Sequence, residues 1–177
     1  MIAANDSFVV RFTPPRAGTF MYHVHGERGE ELASGLYAPL IVLEPGATYD
    51  TLTDKTIFIN QGLDDKGRVN GLEQPDTLRL VVGRQYRFRL IDIAPDFRVF
   101  VTLTDAAGPL RWRALAKDGA DLPLLQRTMQ TARVPMGPGE TADFTYTPDA
   151  PGSLVLDVST QVGPWAIRIP VRVRAKN

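Results

Sequence analysis

The chain has 177 residues, 44% of them hydrophobic, enough apolar material for the core of one full domain or of one domain plus part of another. Twenty basic and twenty acidic residues cancel, and the basic residues are spread along the chain, so a nucleic-acid surface is not indicated. The absence of cysteine excludes disulfides, cysteine nucleophiles and thiolate metal sites, and no apolar run of about 18 residues indicates a membrane span.

Short runs of alternating apolar and polar residues, separated by Gly, Pro and Asp, predict an all-β chain. In the N-terminal segment we expect strands over residues 7–12, 19–25 and 36–43. Residues 14–18 form a turn, because proline cannot donate to a strand ladder and glycine accepts unusual dihedrals. The charged stretch 26–34 accommodates one short helical turn.

A second series of strands begins after residue 55. The predicted strands cover 56–60, 77–82, 85–93, 97–104, 110–116, 141–147, 153–159 and 165–174. The last strand should place Ile167, Ile169, Val171 and Val173 on one buried face. The alternating arginines at positions 87, 89, 111 and 113 are expected to form a solvated face.

The two series differ in completeness. Residues 55–177 supply enough strands for a full sandwich, whereas residues 1–46 supply about three, which are stable only if a neighbour covers their apolar face. We therefore expect residues 1–46 to be the C-terminal part of a domain whose beginning is missing. Residues 47–54 form a linker, and residues 55–177 form a complete domain.

The only two histidines, His23 and His25, lie two positions apart in a predicted strand. A strand directs alternate side chains to one face, so both imidazoles should point the same way, with Cα atoms about 6.5 Å apart. Imidazole suits copper, zinc and nickel. The alternative is that both histidines are vestigial and hold no metal.

Two ligands alone bind a metal weakly, so a third must come from elsewhere. The nearest oxygen donors are Glu27, Glu30 and Glu31, of which Glu30 completes the predicted site. Symmetry is another source, because three chains meeting at a threefold axis would bring six imidazoles together. Met21 shares the histidine face, where it is either a soft axial ligand for copper or a filler of the core.

Residues 12–25 combine a Gly-Thr-aromatic run with the pair His23-Val24-His25, and Gly35-Leu36-Tyr37-Ala38-Pro39-Leu40-Ile41-Val42 follows. This arrangement resembles the end of a copper-binding cupredoxin domain of the multicopper oxidases, the laccase-like enzymes. Further motifs, at 69–71, 86–91, 116–120 and 137–144, resemble the copper-free cupredoxin domain that follows it. The resemblance implies a Greek-key cupredoxin-like β-sandwich, with a partial copper-type module at 1–46 and a complete copper-free one at 55–177.

The resemblance also implies a function. In that family the His-x-His pair contributes to a trinuclear copper cluster that reduces O2 to water, so His23 and His25 would be copper ligands. The implied substrates are phenols or metal ions, and the implied location is periplasmic or secreted. The chain departs from the family pattern by having one His-x-His pair of four, no cysteine for a blue-copper centre, and alanine at position 38.

Two alternatives remain open at this stage. One is a non-catalytic cupredoxin-like structural, interaction or copper-storage module. The other is a cupin-like mononuclear site, since Gly18, His23, His25, Glu30 and Gly35 loosely resemble the first cupin motif, although the third cupin histidine is lacking. An incomplete first module with an exposed apolar face favours a homo-oligomer, with neither nucleic acid nor membrane as partner.

Overall fold

The computed structural model describes residues 5–25, 30–95 and 97–176, with the side chain of Glu30 outside that description. It confirms the all-β prediction. Helical structure in this part of the chain is limited to α1 (Glu30–Ala33) and the 3-10 turn Leu124–Gln126. The strands are β1 (Gly18–His23), β2 (Tyr37–Val42), β3 (Asp54–Gln61), β4 (Gly67–Val69), β5 (Leu78–Val81), β6 (Tyr86–Asp92), β7 (Val99–Asp105), β8 (Gly108–Pro109), β9 (Arg111–Lys117), β10 (Ala120–Asp121), β11 (Met129–Thr131), β12 (Arg133–Met136), β13 (Thr141–Tyr146), β14 (Gly152–Thr160) and β15 (Ala166–Arg174).

The strands form a two-stranded hairpin and two larger sheets. The hairpin pairs β1 with β2. One large sheet has the order β10-β9-β13-β6-β3-β4, with β11 added to β9, and the other has the order β12-β7-β14-β15-β5, with β8 added to β7. Most pairs are antiparallel, but β3 with β6 and β15 with β5 are parallel. The chain therefore crosses between the sheets instead of forming only hairpins.

The main core lies between the two large sheets. Trp112 of β9 is fully buried and stacks on Phe144 of β13, with ring centroids 4.3 Å apart. The predicted alternation of β15 is confirmed, because Ile167, Ile169, Val171 and Val173 are buried while the arginines between them are exposed. Each fully buried side chain of this size contributes roughly 1.5–3 kcal/mol.

The hairpin packs its inner face on the outside of this sandwich. Phe58 of β3 and Ile91 of β6 are buried there, and Met21 and Tyr37 of the hairpin pack against them. Met21 thus takes the core-filling role that was one of its two predicted alternatives. The contact covers one face of a two-stranded sheet that would not be stable alone.

The prediction of a strand over residues 7–12 is wrong. This segment pairs with no strand within the described residues, and Phe8, Val9, Val10 and Phe12 are 64–72% exposed. The apolar and β-branched residues of this segment favour a strand, but a strand also requires a neighbour that completes its hydrogen bonds.

The prediction of a solvated arginine face is also wrong for two of its four members. Arg89 is 4% exposed and Arg87 is partly buried, whereas Arg111 and Arg113 are exposed. The outer face of β6 is covered by the hairpin, and the buried carboxylate of Asp143 and the partly buried carboxylate of Asp54 compensate the charges there. Alternation of charge along a strand does not reveal whether another layer covers the charged face.

No helix in the described part of the chain has both the length and the apolar character needed to cross a membrane.

Candidate metal centre

The hairpin register sets the position of the histidine pair. Thr19, Met21 and His23 share the face of β1 that packs toward the sandwich, and His23 lies opposite Tyr37 of β2. The strand ends at His23, two residues earlier than predicted. The Val24 amide still donates to the Leu36 carbonyl at 3.1 Å, so the pairing is prolonged beyond the strand.

The two imidazoles lie side by side. Their ring centroids are 4.6 Å apart and their planes are inclined by 34°. His23 is partly buried and His25 is exposed. The structure therefore brings both rings to one place at the end of the hairpin where the connection from β1 to β2 begins, as the two-residue spacing predicted.

One ring nitrogen of His23 already has a partner. Nδ1 lies 3.0 Å from the Val24 carbonyl oxygen, a geometry in which Nδ1–H donates and the Nε2 lone pair is left available. Metal-binding histidines commonly use a backbone carbonyl in this way, because the hydrogen bond fixes both the tautomer and the ring orientation. The donor set thus fits a soft or borderline metal through Nε2 of His23 and a nitrogen of His25.

The structure does not bring a third ligand to these imidazoles. Glu27 and the side chain of Glu30 lie outside the described residues. Glu31 is exposed, and among the residues that are described no three His, Asp or Glu side chains group as a metal site. The histidine pair is therefore an incomplete site in this part of the chain.

Tyr37 is a neighbour of the pair that sequence reasoning missed. Its ring stacks on Phe58, with centroids 4.8 Å apart and an interplanar angle of 9°. Burial raises the pKa of the Tyr37 phenol, an effect that nearby Arg68 and a hydrogen bond with Asn60 oppose. The motif Gly35-Leu36-Tyr37 was visible in the sequence, but only the hairpin register shows that Tyr37 faces His23.

An open apolar groove of about 790 Å³ runs beside the outer edge of β2. Tyr37, Pro39 and Ile41 of β2 line the groove together with Tyr49 and Phe58. Tyr37 lies opposite His23 in the hairpin and also lines the groove. The groove therefore lies on the same side of the hairpin as His23.

A cluster of buried ionic groups fixes the hairpin to the sandwich. The Thr19 hydroxyl donates to Asp143 Oδ2 at 2.9 Å and accepts from Arg89 Nη1 at 2.8 Å. Arg87 also donates to Asp143, and Arg89 Nε donates to Asp54 at 2.5 Å. We call Thr19, Arg87, Arg89, Asp54 and Asp143 the ionic clamp. It holds the strand whose far end carries the histidines.

Comparison with known proteins identifies the fold. No protein-family model matches the sequence, and no curated protein matches it. Solved structures do match, among them a blue copper oxidase from Nitrosomonas europaea, at 22% identity and a TM-score of 0.72 over 92% of this chain and 57% of that one. The laccase-like multicopper oxidase CueO from Ochrobactrum sp. matches at 17% identity and a TM-score of 0.71, over 90% of this chain and 41% of that one.

Another similar structure is that of Fet3p, a multicopper oxidase that functions in iron import, with 11% identity and a TM-score of 0.71 over 89% of this chain and 34% of that one. The chain therefore has the cupredoxin-like β-sandwich fold of multicopper oxidases, as the sequence resemblance implied. It spans between about one third and three fifths of the length of these structures.

Proposed function

Proceeding from the multicopper oxidase fold, we propose that this chain is a copper-binding cupredoxin-like protein whose ligands include His23 and His25. The observation that carries the proposal is the pair of adjacent imidazoles, 4.6 Å apart, on a strand held against a sandwich of that fold. Neutral imidazole is a good ligand for copper. A protonated imidazole cannot coordinate, so we expect copper binding to weaken in acid.

The roles of the residues follow from their positions. His23 presents Nε2 because its Nδ1 is occupied by the Val24 carbonyl, and His25 contributes the exposed half of the site. Bound copper would supply one-electron redox chemistry. Glu30 or ligands from a second polypeptide complete the coordination. In this proposal, residues 1–46 are the C-terminal part of a copper-type module and residues 55–177 are a copper-free domain joined by 47–54.

We further propose oxidation of phenols or metal ions by O2 in an assembled form of the protein, outside the cytoplasm. Two of the similar structures, a laccase-like oxidase and an oxidase that functions in iron import, support this chemistry. The chain has no cysteine, so electrons would have to enter through a partner. The second candidate is a non-catalytic copper-storage or interaction module, which the incomplete ligand set favours. The cupin-like alternative has less support, because the similar structures are multicopper oxidases.

Copper titration of the wild type and of the double variant His23→Ala/His25→Ala tests the proposal, with calorimetry for affinity and EPR for the coordinating nitrogens. We expect the wild type to bind at least a hundredfold more tightly than the double variant. Met21→Leu serves as the matched control on the same strand, and it should bind as the wild type does because Met21 packs in the core.

Equal binding by the wild type and the double variant would contradict the copper site. If copper binds, O2 consumption with a phenol and with Fe(II) then separates the oxidase from the storage module. Turnover that is lost in the double variant supports the oxidase, and tight binding without turnover supports storage.

A further inference from the structure

Residues 7–12 form an apolar segment without a strand partner. Phe8, Val9, Val10 and Phe12 are 64–72% exposed, and the segment pairs with no strand within the described residues. Alternate side chains of a strand share a face, so Phe8, Val10 and Phe12 would form one apolar side if this segment were added to a sheet. We call this segment the arm.

The outer edge of β2 is suited to receive such a segment. Within the described residues β2 pairs only with β1, so its other edge is without a strand. That edge has six residues, the same number as the arm, and it borders the apolar groove of about 790 Å³. An unpaired strand edge above an apolar groove is the arrangement to which an extended peptide adds as a further strand.

The facing edge of β3 is blocked at the same place. The Asn70 side chain accepts from the Phe58 amide at 2.9 Å and donates to the Thr56 carbonyl at 3.0 Å, and its own amide donates to the Phe58 carbonyl at 2.8 Å. Asn70 therefore occupies the hydrogen-bonding positions that an added strand would use on β3. The incoming strand is directed to β2, with its side chains toward Phe58 and Tyr37.

The arm of the same chain is held away from this edge. Arg16, which follows the arm, donates from Nε to the Gly119 carbonyl at 2.8 Å and stacks over the Phe20 ring. Gly119 lies between β9 and β10, on the β1 side of the hairpin, whereas the groove lies on the β2 side. An arm that enters the groove thus comes most directly from another molecule.

We propose that two copies of this chain form a dimer in which the arm of each copy adds as a strand to the free edge of β2 in the other copy. The exchange is reciprocal, so it closes with twofold symmetry. Phe8, Val10 and Phe12, each about two-thirds exposed, present roughly 300 Å² per arm on the side that faces the groove. Two arms and the surfaces that receive them bury on the order of 1,200 Å², the lower end of the range for a stable interface.

Light scattering in a chelating buffer tests the dimer independently of copper binding. We expect the wild type to have twice the 19.5 kDa mass of one chain. Val10→Pro removes an amide from the added strand and should weaken the dimer at least tenfold. The fold should remain intact, because the arm pairs with no strand of the described monomer and its apolar side chains are mostly exposed. Leu125→Pro is the control at a 93% exposed apolar position far from the arm, and it should leave the dimer unchanged.

Cross-linking locates the contact, since the chain has no native cysteine. Oxidising a mixture of the Val10→Cys and Pro39→Cys variants should give a mixed disulfide, whereas Val10→Cys mixed with Leu125→Cys should not. Three results would overturn the proposal. The wild type could be a monomer, the dimer could be unaffected by Val10→Pro, or the Val10→Cys variant could cross-link only to itself. If the wild type binds copper as a monomer, the dimer proposal is overturned and the copper-site proposal is still supported.

Discussion

Asp143 is the residue on which the attachment of the hairpin depends. It is 1% exposed, and its Oδ2 accepts hydrogen bonds from Thr19, Arg87 and Arg89. The guanidinium groups of Arg87 and Arg89 bring two positive charges to this carboxylate, and the carboxylate of Asp54, which accepts from Arg89, balances the second of them. A buried ion pair adds little net stability compared with an apolar pair, but breaking it leaves an uncompensated charge.

We therefore expect Asp143→Asn to lower the free energy of unfolding by about 3–5 kcal/mol. Urea denaturation followed by tryptophan fluorescence measures this change. Asp157→Asn is the matched control, because Asp157 lies 3.6 Å from an Arg168 that is largely exposed, and such surface pairs contribute at most about 1 kcal/mol. Equal losses in the two variants would show that the ionic clamp has no special role.

Asp92 is a second buried carboxylate, and it has no compensating cation. It is fully buried at the end of β6, Oδ1 accepts from the Ala94 amide at 3.0 Å, and Oδ2 has no partner among the described residues. Burial, with a smaller contribution from Glu140, raises its pKa to about 7. An unfolded chain has an aspartate pKa of about 3.9.

The native state therefore holds a proton on Asp92 that the unfolded state has released between about pH 4 and pH 7. Stability should fall as pH rises through this window, by on the order of 4 kcal/mol in total. Asp92→Asn should remove this decrease, because an amide keeps the acceptor for Ala94 and does not ionise. Urea midpoints at pH 5 and pH 8 measure the effect. Asp105→Asn, an exposed carboxylate with similar turn hydrogen bonds, should keep the wild-type slope.

The hairpin is the element that carries the histidines, and its close approach to the sandwich requires two glycines. A Cβ on Gly18 would lie 2.3 Å from the Gly119 carbonyl oxygen. A Cβ on Gly119 would lie 2.2 Å from the Phe20 ring, and Gly119 also has a φ of +71°. The backbone at Gly18 and Gly119 and the ring of Phe20 thus approach each other closely, and a side chain on either glycine would push the hairpin away from the sandwich.

We expect Gly119→Ala to loosen the hairpin while the sandwich stays folded. Hydrogen exchange of the β1 amides should become at least tenfold faster, and exchange in β14 should change little, because the clash is confined to the contact between hairpin and sandwich. Gly83→Ala is the control, since Gly83 has a similar φ of +75° and no atom within 4 Å of the added Cβ. Faster exchange in both variants would assign the effect to backbone strain alone.

At the scale of the whole molecule, the proposed metal site and the proposed assembly are connected. The described residues supply two imidazoles and no third ligand, so tight copper binding requires a ligand from Glu27, from Glu30 or from another molecule. If another molecule supplies it, the apparent copper affinity should increase at least tenfold as the protein concentration is raised above the dissociation constant of the assembly.

Copper titrations at two protein concentrations, combined with molar mass in the same buffers, check this expectation. A monomer that binds copper with the same affinity at every concentration would contradict it. That result would assign the third ligand to the chain itself, and Glu30→Gln would then be the variant to test.

Local patterns in the sequence determined much of this protein. Alternation and turn residues predicted the all-β fold and the buried face of β15, and the spacing of His23 and His25 predicted that their rings would be neighbours. These properties depend on the two-residue period of an extended chain, which can be read from adjacent positions.

Only the tertiary structure decided which surfaces are covered. It buried Arg89 under the hairpin, placed Tyr37 opposite His23, and left residues 7–12 without a strand partner. Burial of a charge and pairing of a strand depend on residues more than fifty positions away, such as Asp143 for Arg87. The alternation along one strand is the same whether its outer face meets water or another layer, so the sequence alone could not distinguish the two.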